Sequence, residues 1–250
     1  MDLDELLHLA SPIIGDLGRG FYFTPETAAD GEKLGLNLYE FYGLGRGGVL
    51  GDVEAGTARA AFGYFEPGLF AMLWEAARAK ADPRAAGRAY LQSSAAYGRL
   101  HLSDVDGLAD IVACLDAVND AADAVGLALY AAVKQEPLVD DAPGRAGQLL
   151  TVLREHRGSA HLVALRAVGL SDRLAHHISR PQDAALFGWN PAEPPEVTAE
   201  DRERHQRAEA ITDDIVRPAF AVLDDGQRTT LADGLRTLRD AFPREGLPDA

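Results

Sequence analysis

The stretch Leu149 to Val168, LLTVLREHRGSAHLVALRAV, places Glu155, His156, Arg157 and His161 within seven residues. An imidazole can take or give a proton near neutral pH. A guanidinium can hold a carboxylate, a phosphate or a developing oxyanion through paired hydrogen bonds, and a carboxylate can orient the imidazole. On a helical wheel, Arg157 and His161 lie one turn apart on a face shared with Leu150, Leu153, Ala164, Leu165 and Val168. Leu149, Val152, His156, Val163 and Ala167 make the opposite face, leaving a narrow polar strip of Thr151, Glu155, Ser159 and Arg166. A helix apolar on two sides is a central, buried helix.

Arg157 and His161 are therefore expected inside the protein, with partners from other helices, because an unpaired buried guanidinium is very costly. The aromatic N-terminal region offers Glu26, Glu40, Tyr22, Tyr39 and Tyr42. An anionic ligand would serve equally, so a structural ion pair and a binding or catalytic site both remain open. No metal site is expected. His156 and His161, five residues apart, point about 140° away from each other on a helix, the adjacent His176 and His177 also splay, and Glu-His-Arg stands where a zinc signature would read His-Glu-x-x-His. Cys114 sits in an acidic stretch that raises its pKa and reads as a core residue rather than a nucleophile.

The elements that must position these groups are helices. Ala/Leu-rich stretches carry acidic residues or Arg at three- and four-residue intervals, so the chain reads as all-α, a helical bundle. Ser11-Pro12 and Thr24-Pro25-Glu26 read as helix starts, each with a capping hydroxyl ahead of a proline. Thr198-Ala199-Glu200-Asp201 reads as a capping box opening a long helix to about Leu223, which Pro218 should kink. The run Gly43-Leu44-Gly45-Arg46-Gly47-Gly48 lacks the Lys-Ser/Thr of a phosphate loop and points to close helix approach. His101 to Asp141 holds nine acidic residues and one basic one and reads as an amphipathic helix with a solvated acidic face. Glu136 to Gly147 reads as a loop, and Gly188 to Glu196 is too rich in proline for a helix.

Composition bounds the rest. The 250 residues are 47% hydrophobic, enough for a real core, which excludes a disordered chain. With 24 Lys plus Arg against 39 Asp plus Glu, the net charge of −15 argues against a chain-wide phosphate-binding surface. One cysteine excludes a disulfide framework and suits the cytoplasm, and no apolar run suggests a membrane span or a signal peptide.

These residues resemble an actinobacterial family described as helix-turn-helix related. The resemblance rests on Phe21-Tyr22-Phe23-Thr24-Pro25-Glu26, Leu34-Gly35-Leu36, Phe41-Tyr42 followed by Arg46 and Leu50-Gly51, Phe62 with Phe65-Glu66-Pro67, Trp74, and above all Glu155-His156-Arg157-Gly158-x-x-His161. It implies a helical body over 1–168 and a degenerate winged-helix-like module over 169–250. The last helices of that module, Thr198 to about Phe242, look like the dimerising helices of MarR-type regulators. The stretch Gly169 to Pro195 is short for a recognition helix and wing, and Ser171 to Arg217 holds ten acidic residues against six basic ones. That balance argues against specific DNA binding, although Arg173 and Arg180 could contact phosphate.

Three functional expectations follow. The first is a regulator-like homodimer that binds a small, anionic or aromatic ligand without a cofactor, in a pocket lined by Tyr22, Glu26, Tyr42, Arg46, Arg157 and His161, with Phe23, Phe62 and Phe65 stacking on the ligand. The second is an enzyme, an isomerase, cyclase or lyase, in which His161, or His156 oriented by a carboxylate such as Glu155, acts as acid–base while Arg157 stabilises an oxyanion. The third is a structural protein whose polar core only fixes helix register.

Overall fold

A computed structural model describes residues 1–243. Twelve α-helices form among them, and no strand. In chain order they are α1 (Leu3–Leu17), α2 (Pro25–Glu32), α3 (Leu38–Gly47), α4 (Ala55–Phe62), α5 (Pro67–Arg78), α6 (Pro83–Leu102), α7 (Leu108–Ala121), α8 (Ala128–Val133), α9 (Ala142–Ala167), α10 (Asp172–Ser179), α11 (Ala199–Phe220) and α12 (Asp225–Ala241). The all-helical expectation holds. None of these helices is long and apolar enough to cross a membrane.

Local chemistry sets most of the starts. Asp2, Asn37, Thr198 and Asp224 each close a capping box with the residue three positions on, and the expected Thr24 cap before Pro25 is also present. Ser11-Pro12, by contrast, is not a start. The Asp2–Glu5 box begins the helix nine residues earlier, and Pro12 lies inside α1 on its exposed side, where water can satisfy the carbonyl left without a donor. α11 likewise runs through Pro218 and ends two residues later. The acidic stretch after His101 is not one helix but the end of α6 followed by α7 and α8. The expected loop over 136–147 closes early, because Asp141 caps α9 with Pro143 in the first turn.

α9 is the centre of the bundle, packed by α6, α7, α8, α11 and α1. It crosses α6 at Gly98 and Gly147. A Cβ at Gly98 would run into the backbone of Pro143, and one at Gly147 into that of Ser94, so only glycine lets the two backbones meet there. A second close approach, Gly48 against Pro83, ends the run Gly43–Gly48 and bears out its reading as a packing element. The same crowding corrects the expected polar strip of α9. Thr151, Glu155 and Ser159 are buried, and only Arg166 of the four is exposed.

α11 and α12 share the main core, whereas Ala175 of α10 packs with Ala164, Leu165, Leu170 and Ala208 in a separate, smaller cluster. Val216, Ala219 and Phe220 of α11 and Leu231, Leu235 and Leu238 of α12 belong to the same apolar cluster as Leu6, Trp74 and Leu150. Their apolar faces are therefore engaged within the chain, against α1, α7 and α9. Cys114 is buried, as expected of a core residue.

Candidate functional site

A cleft of about 550 Å³ opens beside the middle of α9. Its walls are the second half of α1, the C-terminal end of α3, the turn after α4, α10 with the segment that follows it, and α11. Five arginines line it, Arg19, Arg46, Arg154, Arg157 and Arg180, against four carboxylates, Asp16, Asp183, Glu155 and Glu209. A protein of net charge −15 thus has a concave surface with more cations than anions.

Glu155 is the deepest charge. Arg46, from the C-terminal end of α3, grips it in two-pronged fashion at 2.7 and 2.8 Å; Arg154 reaches it at 2.9 Å, and the Tyr22 hydroxyl donates to it at 3.1 Å. Burial alone would raise the Glu155 pKa, but Arg46 and Arg154 outweigh it and hold the carboxyl down to about 2. Burial drives the Tyr22 phenol well above its ordinary value, so it acts only as a neutral donor. Arg46 also donates to the Tyr42 hydroxyl at 3.1 Å and lies over the Phe62 ring at 4.4 Å, while Arg154 covers the Tyr22 ring at 5.1 Å.

Arg157 and His161 do meet other helices, but not those the sequence suggested. Arg157 pairs with Glu209 at 2.7 Å and Asp213 at 3.4 Å, and His161 Nδ1 lies 3.0 Å from the Thr212 hydroxyl, all on α11. Their face of α9 turns toward the C-terminal helices, whereas the Glu155 strip turns toward the aromatic N-terminal region. Glu26 is exposed on α2 and takes no part; Tyr39 is exposed, and Glu40 pairs with Lys80 at 2.6 Å. His156 packs its ring on Tyr130 at 4.5 Å, and burial lowers its pKa to about 4. Phe62 and Phe65 line the cleft, while Phe23 is exposed and stacks on Tyr42.

Donor capacity in the cleft exceeds what the protein uses. The Arg180 side chain makes no hydrogen bond or ion pair among the described residues, and its pKa is lowered by burial and by the like charges of Arg19 and Arg154. Among the described residues, Arg19 and Arg157 each leave a buried Nε without an acceptor, and His176, 8% exposed, leaves its Nε2 without a partner. Such orphaned polar atoms are uncommon in a folded interior, and these three belong to residues that line the cleft.

Arg19, Arg154 and Glu209 were not singled out from the sequence; Arg180 was named there only for contact with phosphate, and His176 only as a histidine that splays from His177. Arg180 sits in a polar break after α10, exposed to solvent while lining the cleft, and nothing in its local pattern marks it as part of a site. Tyr64 is a further unforeseen wall residue. Its φ of 67° is in the left-handed region, held there because its N–H donates to Asp172 at 2.9 Å and its carbonyl accepts from Trp189 at 2.7 Å. Phe187 closes that side by stacking on Phe65 at 4.5 Å and His176 at 4.2 Å.

A family model described as a helix-turn-helix family matches residues 11–248. The chain belongs to this family. Membership accords with a regulator-like helical protein, and the sequence resemblance is upheld at that level. Searches of curated proteins and of solved structures find no match. Between α9 and α11 the family's region holds, in this chain, the eight-residue α10 and a 3-10 turn at Pro181–Asp183, with no strand among the described residues to make a wing.

Proposed function

We propose that this helix-turn-helix family member is a regulator-like protein that binds an amphipathic small-molecule anion in the cleft beside α9. One observation carries the reading: a cavity of about 550 Å³ whose arginines outnumber its carboxylates, with Arg180 making no side-chain hydrogen bond or ion pair among the described residues. Arg46 and Arg157, first expected to meet the anion, are committed to Glu155, Glu209 and Asp213. Arg19 and Arg154 are paired as well, with Asp16 at 2.7 Å and Glu155 at 2.9 Å, so the anion falls first to Arg180, with Tyr42, Phe62, Phe65 and Phe187 as an apolar and aromatic wall for the ligand's body. The reading assigns no DNA contact to α10 or α11, since positions 171–217 carry a surplus of acidic residues.

The test is fluorescence titration with 8-anilinonaphthalene-1-sulfonate, an aromatic anion, alongside uncharged N-phenyl-1-naphthylamine. Saturable binding of the sulfonate, with affinity lost roughly tenfold or more in Arg180→Ala and little change for the neutral dye, is the expected result, because a charged hydrogen bond contributes about 1.5–3 kcal/mol. Equal affinity of wild type and Arg180→Ala for the sulfonate overturns the reading.

A further inference from the structure

We propose that His161, His205 and Glu209 form a binding site for a divalent transition-metal ion, of the zinc class, at the α9–α11 edge of the cleft. The inference goes beyond the anion reading and does not depend on it. One nitrogen of each ring and one carboxylate oxygen of Glu209 all lie within 4.8 Å of one another. Glu209 Oε1 is 3.7 Å from His161 Nε2 and 3.9 Å from His205 Nε2. Donors sharing one tetrahedral zinc at bonds of about 2.0–2.1 Å stand roughly 3.3 Å apart, so each ring nitrogen closes on Oε1 by about half an ångström and the two rings close on each other by at most about 1.5 Å.

Hydrogen bonding aims the lone pairs inward. The Thr212 hydroxyl donates to the Ala208 carbonyl at 2.7 Å, so its oxygen accepts the Nδ1–H of His161 at 3.0 Å. That places the lone pair of His161 on Nε2, toward Glu209. The other carboxylate oxygen, Oε2, accepts from Arg157 at 2.7 Å, which turns Oε1 to the two rings. Metal ligands are commonly held by such outer partners, a neighbouring donor on the carboxylate and an acceptor behind the imidazole. His161 Nε2 and Glu209 Oε1 thus converge with His205 Nε2, whose one hydrogen-bond contact among the described residues is the Ser179 hydroxyl, and a cation can take all three as ligands. The Ser179 hydroxyl, 2.9 Å from His205 Nε2, is the contact an ion would displace.

His205 and Glu209 are four residues apart on α11 and so share a face; His161 comes from across the helix crossing, which is why spacing along α9 alone did not reveal the set. Two imidazoles and one carboxylate suit zinc and its first-row neighbours rather than calcium or magnesium. Three protein ligands leave a coordination position free, and since His161 and Glu209 line the cleft, that position opens toward it.

The experiment uses the untagged full-length protein, stripped with a chelator and titrated with zinc ions against a chromophoric competitor, and separately with cobalt ions followed by visible absorption. The wild type is expected to take up one zinc tightly enough to compete, and to give the ligand-field bands of a four- or five-coordinate cobalt. His205→Ala should weaken zinc binding by two orders of magnitude or more, and Thr212→Val, which keeps the shape but removes the outer acceptor, by about tenfold. His8→Ala, on an exposed turn of α1, should change nothing. Far-UV circular dichroism establishes that each variant is folded, and the cobalt spectrum of the wild type needs no variant. Absence of stoichiometric uptake by the wild type, or uptake that survives His205→Ala in a folded protein, overturns the proposal.

Discussion

Glu155→Gln tests the electrostatic centre of the cleft. The substitution keeps size and removes the negative charge that faces both Arg46 and Arg154. The drop of the Glu155 pKa from an ordinary 4.5 to about 2 corresponds to about 3 kcal/mol of folding stability at neutral pH. Removing one member of a buried ion pair independently suggests a loss of about 3–5 kcal/mol, because the partner's charge is stranded. For a chain of this length the melting temperature should fall by roughly 6–12 °C at pH 7. The sign of the pH dependence follows from a carboxyl whose folded pKa is depressed. Its stabilisation is complete above about pH 5 and is lost as the pH falls toward 2, so the gap between wild type and variant should close over that interval. Thermal unfolding followed by near-UV circular dichroism at pH 7, 5, 4 and 3 measures the gap. A variant as stable as wild type at pH 7, or a gap that stays constant down to pH 3, refutes the assignment of Glu155 as the charge that binds the two arginines.

Other expectations rest on separate features. His156, held neutral by burial with its pKa at about 4, takes up a proton more readily in the unfolded chain, so stability should fall as the pH drops from about 6.5 toward 4. His156→Phe should lessen that fall by about 1–1.5 kcal/mol, allowing for partial screening, as read from urea midpoints at pH 7 and 5. Gly48→Ala should cost several kcal/mol or abolish folding, since its Cβ meets the Pro83 backbone, while Gly43→Ala, with open space and a mid-helix position, should be neutral or raise stability by about 0.5–1 kcal/mol; melting temperatures of the pair decide it. The Cys114 thiol, buried and with its pKa pushed up by burial and by Asp110 and Asp224, should react slowly with a disulfide reagent at pH 8 in the native protein and at once in urea.

What could be read along the chain was what depends on near neighbours. Thr24 before Pro25, the Thr198–Asp201 box and the apolar faces of α9 as far as His156 each involve residues within a turn or two, so propensity, capping and period settle them, whereas Val163 and Ala167, expected on the second apolar face, are exposed. The same reasoning placed Arg157 and His161 inward and read Gly43 to Gly48 as a packing surface. It failed at Ser11-Pro12, where a stronger cap upstream took the start.

The composition of the cleft lay beyond that reach. Helical period gives the direction of a side chain about its own axis but not what stands opposite. Arg46 meets Glu155 across 109 residues, and Arg157 meets Glu209 across 52. Whether Glu155 sat in water or under two arginines, whether Glu26 or Glu209 faced His161, and whether His205 joined them depended on how α3, α9 and α11 cross. Those crossings are set by summed packing, including the glycine contacts between α6 and α9, and no local pattern encodes them. The amino-acid sequence by itself thus determined the helical class, several helix starts and the inward turn of the first half of α9; the tertiary structure alone decided which charges meet, because ion-pair partners are chosen by the geometry of packed helices rather than by distance along the chain.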